Sequence, residues 1–175
     1  PGLRRWRRGG WSPVSGPDPG PIVLETDEDT RELGRRLGRQ LRAGDLVLLT
    51  GQLGAGKTTL TQGLADGLGV RGPVTSPTFV IARVHPSLVG GPDLVHVDAY
   101  RLGGEAELDD LDLDASLEES VTVVEWGHGL ADHLADELLE VELHRSGSEE
   151  GDQQARTAVL RGTGARWDGL RLRRP

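Results

Sequence analysis

The residues best placed to do chemistry form one uninterrupted run, Gly51-Gln52-Leu53-Gly54-Ala55-Gly56-Lys57-Thr58, with the spacing Gly-x-x-x-x-Gly-Lys-Thr. Glycines at Gly51, Gly54 and Gly56 let a backbone bend around a phosphate with no Cβ in the way. The amides of such a loop and the following helix N-terminus then hold the anion. In this pattern Lys57 reaches β- and γ-phosphate oxygens, Thr58 offers its hydroxyl to Mg²⁺, and Thr59 contacts the α-phosphate from the first helical turn. At this chain's composition, a chance match is on the order of one in four hundred. The chain has nineteen arginines and a single lysine, Lys57. Codon bias accounts for the arginines, and the need for a compact point charge on a flexible stem accounts for the one ammonium.

Phosphoryl transfer also needs a metal clamp and an oriented nucleophile, which directs attention to carboxylates at strand ends beyond the loop. Asp98 closes Leu94-Val95-His96-Val97 and Glu125 closes Val121-Thr122-Val123-Val124. Parallel strands end on the edge where such a loop lies, so each is a candidate for Mg²⁺ or for the attacking water, and the two roles are interchangeable at this stage. Thr78 reads either as a switch-like group that senses a γ-phosphate or as a threonine with plain β-propensity. Trp126 either stacks near a nucleotide or packs against a neighbouring helix. His85, His96, His128, His133 and His144 have no zinc-ligand spacing, and no serine sits in a nucleophile-elbow pattern.

The elements that must position these residues follow from hydrophobic period. Leu46–Leu49 is too short for a helix between its breakers and reads as a buried strand running into the glycine loop; Lys57–Gly69 is a helix with Leu60, Leu64 and Leu68 inside. Upstream, Pro21–Glu25 is strand-like, and Asp27–Ala43 is an amphipathic helix through Leu33, Leu37 and Leu41, capped by Thr26 or Asp27 and stopped by Gly44. Thr78–His85 and Leu94–Asp98 form a hairpin through Gly90-Gly91-Pro92. Residues 104–118 are acidic and loosely helical. A strand at Val121–Val124, a helix near Gly129–Leu134 and strands at Leu138–Leu143 and Arg156–Arg161 complete one domain over 21–175. Residues 1–20, rich in Arg, Gly and Pro, read as a disordered tail.

With 175 residues and 35% hydrophobic side chains the chain suits one modest core. No apolar run approaches a membrane span, no apolar stretch follows the basic start as in a secretory signal, and cysteine is absent, so the expected location is the cytoplasm. A net charge of -8 argues against broad contact with nucleic acid.

The ordered set Gly51–Thr59, Ser76-Pro77-Thr78-Phe79, His96-Val97-Asp98-Ala99-Tyr100-Arg101-Leu102 and Val124-Glu125-Trp126 resembles the TsaE (YjeE) family, over roughly residues 22–170. The resemblance implies a P-loop NTPase-like, three-layer α/β fold with a mixed parallel and antiparallel sheet. It implies an ATPase of bacterial tRNA threonylcarbamoyladenosine synthesis with ATP and Mg²⁺ as cofactors. Lys57 and Thr58 would lie in the nucleotide site, Asp98 and Glu125 around Mg²⁺ and catalytic water, and Trp126 close to the nucleotide. Partners implied are homologues of TsaD, which transfers the threonylcarbamoyl group to adenosine 37 of tRNAs reading ANN codons, and of TsaB. No direct extensive tRNA contact is expected. The chain departs from the family at Gly127-His128, where members often carry a proline or serine and an acidic residue. Two other classes compete: a small-molecule kinase, with Arg83 or Arg101 clamping the phosphoryl group, and a nucleotide-dependent binding module without turnover. A guanine-reading Asn-Lys-x-Asp segment is impossible with the only lysine in the loop.

Overall fold

The computed structural model describes residues 20–77, 81–101, 114–127, 129, 134–145, 155–168 and 170. The tail reading therefore lies outside the described residues except at Gly20, as do Thr78 and most of the helix expected near Gly129–Leu134. The elements are β1 (Ile22–Leu24), α1 (Asp27–Gly38), β2 (Leu46–Gly51), α2 (Lys57–Leu68), β3 (Ala82–His85), β4 (Asp93–Asp98), α3 (Asp114–Leu117), β5 (Ser120–Glu125), β6 (Leu138–Arg145) and β7 (Arg156–Thr163), with single 3-10 turns at Ala99–Arg101 and Ala165–Trp167.

Seven strands form one sheet in the order β1-β7-β6-β2-β5-β4-β3. The central four, β6, β2, β5 and β4, run parallel, and β7 and β3 pair antiparallel at either side, with β1 antiparallel to β7. This is the mixed sheet of a P-loop α/β fold. The parallel strands are buried on both faces and read as continuous apolar runs. Within β2, Val47 and Leu49 enter the core beneath α1 and α2, while Leu46 and Leu48 face a second core that includes Ala99 and Leu117. The same period of two sends Leu94, Val121 and Val123 under α1 and α2. It carries His96, Asp98 and Glu125, at the ends of β4 and β5, to that same face.

α1 starts at a capping box: the Thr26 hydroxyl accepts from the Asp29 amide at 3.1 Å, and the Asp29 carboxylate accepts from the Thr26 amide at 2.9 Å. Asp27, Glu28 and Asp29 in the first turn and Arg35 and Arg36 in the last complement the helix dipole. The helix stops at Gly38, five residues short of the expected Ala43. Leu41 is nevertheless buried, because its amide still donates to the Leu37 carbonyl at 3.1 Å in the turn that follows.

The contact between α1 and α2 is made by glycines. A Cβ on Gly34 would lie 2.3 Å from the Leu60 carbonyl oxygen, and one on Gly63 would lie 2.1 Å from that of Arg31. One turn further on, Gly38 and Gly67 repeat the arrangement against Leu64 and Arg35. The backbones touch, and the leucines of both helices are left to fill the space over the sheet. At the end of the described chain, Arg166 donates to both carboxylate oxygens of buried Asp45, at 2.8 and 2.6 Å, and packs its guanidinium over the fully buried Trp167 ring. No helix among the described residues is long and apolar enough to cross a membrane.

Candidate functional site

The C-terminal ends of the parallel strands converge on one edge of the sheet. β2 ends at Gly51, which has φ 142° and leaves no room for a side chain, since a Cβ would meet the Leu143 carbonyl oxygen at 2.5 Å. The chain then turns, with the Ala55 amide donating to the Gln52 carbonyl at 3.0 Å, and enters α2 through Gly56 at φ 103°. Ala55 anchors the turn in the core, whereas Leu53 at its tip is 86% exposed.

Lys57 curls back over this loop. Its ammonium donates to the carbonyls of Gly51 at 2.8 Å and Gln52 at 3.0 Å, and it lies 4.1 Å from the centre of the Trp126 ring. Burial holds its pKa below the ordinary lysine range, against the opposing pull of the Glu125 and Asp98 carboxylates.

Asp98 and Glu125 face each other across β4 and β5 as register partners, and both are buried. The Asp98 carboxylate accepts from the Tyr100 amide at 2.9 Å and from the Ser76 hydroxyl at 3.4 Å. Glu125 Oε1 is bound by His96 Nε2 at 2.8 Å. Immediately after Glu125, Trp126 has a left-handed backbone, φ 61°, with its amide still bonded to the Leu49 carbonyl at 3.1 Å. That conformation is uncommon for a bulky residue and costs on the order of 1–3 kcal/mol. It turns the chain sharply at the strand end, and the indole lies above Lys57 and 5.1 Å from the Tyr100 ring. Trp126 is thus a half-buried wall of the cleft, stacked on the ammonium of Lys57 at the start of α2.

These residues enclose a cleft of about 530 Å³ whose lining includes Leu53, Gly54, Gly56, Lys57, Thr58, Thr59, Ser76, Asp98, Glu125 and Trp126. Gly51, Gln52 and Ala55 form the loop behind it. Thr78 and the side chain of Arg101 lie outside the described residues. Arg83 is engaged elsewhere, donating to the Thr75 hydroxyl at 3.0 Å. Three further residues belong to the site without having been marked by spacing: Tyr100, His96 and Arg156, the first residue of β7. His96 and Tyr100 sit within the segment that carries the resemblance, but Arg156 is brought in by sheet order alone.

The residues present fit a nucleotide and a hard divalent cation. Gly54 and Gly56 put bare backbone against the cleft, and Thr58, Asp98 and Glu125 offer it oxygen donors only. Mg²⁺ is commonly held by one or two carboxylates with phosphate oxygens and water completing its shell, and this donor set has that character.

A model of the family described as "Threonylcarbamoyl adenosine biosynthesis protein TsaE" matches residues 24–156. The tRNA threonylcarbamoyladenosine biosynthesis protein TsaE of Streptomyces coelicolor is 62% identical over 138 residues, covering 78% of this chain and 93% of the relative. Its namesake in Mycobacterium tuberculosis is 54% identical over 133 residues, 72% and 79% of the two chains, and that of Bacillus subtilis is 39% identical over 124 residues, 70% and 76%. Among solved structures, Bacillus subtilis YdiB superimposes with a TM-score of 0.68 at 30% identity, covering 86% of this chain and 89% of the other. With sequence and backbone agreeing over the stretch that runs from the first strand to the start of the last, this chain belongs to the TsaE family.

Proposed function

We propose that the protein binds and hydrolyses ATP with Mg²⁺ in the cytoplasm as a component of the tRNA threonylcarbamoyladenosine machinery, acting with TsaD and TsaB homologues. The observation that carries this reading is the convergence of Lys57, Thr58, Asp98 and Glu125 on one cleft at the edge where the parallel strands end. Ligands of open α/β sheets bind at that edge.

In this reading the loop amides and Lys57 hold the phosphates, and Lys57 gives up its two carbonyl partners to do so. Thr58, Asp98 and Glu125 would hold the metal, which when bound would supply neutralisation of the charge that develops on the transferring phosphoryl group. Glu125, fixed through Oε1 by His96, has its second oxygen left for water. Trp126 and Tyr100 cover the cleft and restrict water around the reacting phosphate. Hydrolysis by the isolated protein is slow, and the TsaB–TsaD pair stimulates it through a protein contact; an acidic chain has little to offer tRNA directly.

The test is steady-state phosphate release from Mg-ATP by the full chain, alone and with the TsaB–TsaD pair, beside Lys57→Ala. The expected result is slow release, faster with the pair and lost in the variant. Absence of release in every mixture despite tight ATP binding favours the non-catalytic binding module and overturns the enzymatic reading.

A further inference from the structure

Arg156 opens β7 at the edge where the phosphate-binding loop lies. β7 hydrogen-bonds to β6, which neighbours β2, so the start of β7 runs beside the loop that leaves β2. The arginine lies across Gly56: a Cβ there would be 3.1 Å from its Nε and 3.3 Å from its Cδ. The space opened by the missing side chain is occupied by the guanidinium stem, and Arg156 lines the same cleft as Lys57.

Its charge is incompletely satisfied. Nη1 donates to Asp27 Oδ1 at 2.5 Å, whereas Nε is buried with no hydrogen-bond partner among the described residues. The arginine side chain is 16% exposed and its aspartate partner 66% exposed. An ion pair that open to water contributes little, while a largely buried guanidinium with a bare N–H is costly until a further acceptor arrives. A phosphate supplies what is missing, because the planar fork matches two oxygens at once.

We propose that Arg156 is a second phosphate-contacting cation of the nucleotide site, beside Lys57, and that Asp27 is its competing counter-ion. The ligand class is a nucleoside di- or triphosphate, and the contact is to phosphate rather than to base or sugar. This rests on the phosphate-loop reading of Gly51–Thr59. The incoming phosphate takes Arg156 from Asp27, so the first turn of α1 is coupled to occupancy of the cleft.

The experiment is binding of a fluorescent ADP analogue to the full chain, with inorganic pyrophosphate as competitor. Arg156→Gln is expected to weaken both ADP and pyrophosphate about tenfold, the loss of one charge-assisted contact. Asp27→Asn is expected to tighten both about threefold by removing the competitor, and the gain vanishes in the double variant. A folded Arg156→Gln with unchanged ADP affinity overturns the proposal, as does a loss confined to ADP that spares pyrophosphate. If Arg156→Gln does not fold, Asp27→Asn decides: unchanged or weaker binding marks the pair as a strut and overturns the proposal. Lys57→Ala separates the two levels. Wild-type affinity in that variant overturns the phosphate-loop reading itself, whereas loss of binding there with none in Arg156→Gln leaves that reading intact and removes only this proposal.

Discussion

His96 and Glu125, on neighbouring parallel strands, share a 2.8 Å hydrogen bond with His96 fully buried and Glu125 only 4% exposed. His96 Nδ1 is buried without a partner among the described residues. The tautomer with Nε2–H donating to Oε1 and the lone pair on Nδ1 leaves no buried donor bare, so the imidazole acts as a fixed donor that orients one carboxylate. His96→Phe keeps volume and removes the donor; its expected effect is a fall in kcat for ATP hydrolysis of about 10- to 100-fold with little change in KM. His96→Gln restores a donor near the Nε2 position and recovers much of the loss. Steady-state phosphate release on the three proteins measures both effects, and equal kcat in the Phe and Gln variants excludes an orienting role.

The two carboxylates are held differently, and their variants should separate. Asp98 is tied to the Tyr100 amide and the Ser76 hydroxyl, whereas Glu125 is held by a side chain from the next strand. Glu125→Gln is expected to keep nucleotide affinity and slow hydrolysis, by about 100-fold if it orients water. Asp98→Asn is expected to raise the Mg²⁺ concentration needed for half-maximal rate. A magnesium titration of each variant checks the division, and the opposite pattern exchanges the two roles.

The helix contact carries a stability prediction. Gly34→Ala or Gly63→Ala forces a methyl into a carbonyl oxygen that belongs to the facing helix backbone and cannot swing away. Each substitution is expected to cost about 3 kcal/mol in urea unfolding, at the upper end of overpacking. Gly91→Ala, whose new Cβ would come no nearer than 3.8 Å to Ser87 Oγ, is the control, with an expected change within about 0.5 kcal/mol.

Local spacing picked out the glycine loop, and alternation placed Asp98 and Glu125 at the strand ends that line the cleft, because a strand's period of two carries a residue to a known face and its end to a known edge. Leucine periodicity found both helices but overran the first, since Leu41 occupies the next position of the period from within a turn. Gly34, Gly38, Gly63 and Gly67 carried no signal of their own; glycine inside a helix reads as a weakness until a second helix is placed against it. Arg156 near Gly56, and Arg166 on Asp45, join residues far apart in the chain. Their meeting depends on sheet order, which no short window contains. For Trp126 the sequence left two readings open, because its orientation depends on a left-handed backbone that periodicity does not report.

The single lysine makes the alkaline titration of this protein unusually simple to read. Burial lowers the Lys57 pKa in the folded state below its ordinary value of 10.5, with Glu125 and Asp98 opposing the shift in part. Between the lowered folded value and 10.5 the unfolded chain binds more protons at this site than the folded one, so unfolding free energy rises with pH across that window. Below the folded value both states hold the proton, and the cost of burying the ammonium is fully present. Arginine does not titrate in this range, and the chain has no cysteine. Urea unfolding of the wild type and Lys57→Met, in the absence of nucleotide from pH 7 to 10.5, isolates the lysine. The stability of the wild type relative to Lys57→Met is expected to climb as pH rises. A flat difference between the two proteins would mean that the carbonyls of Gly51 and Gln52, the Trp126 ring and the two carboxylates fully compensate the buried charge. A falling one would mean that they overcompensate it. A rising difference with intact nucleotide binding in the wild type at pH 7 would show a site that holds a charge at a cost to the fold, recovered when a phosphate arrives.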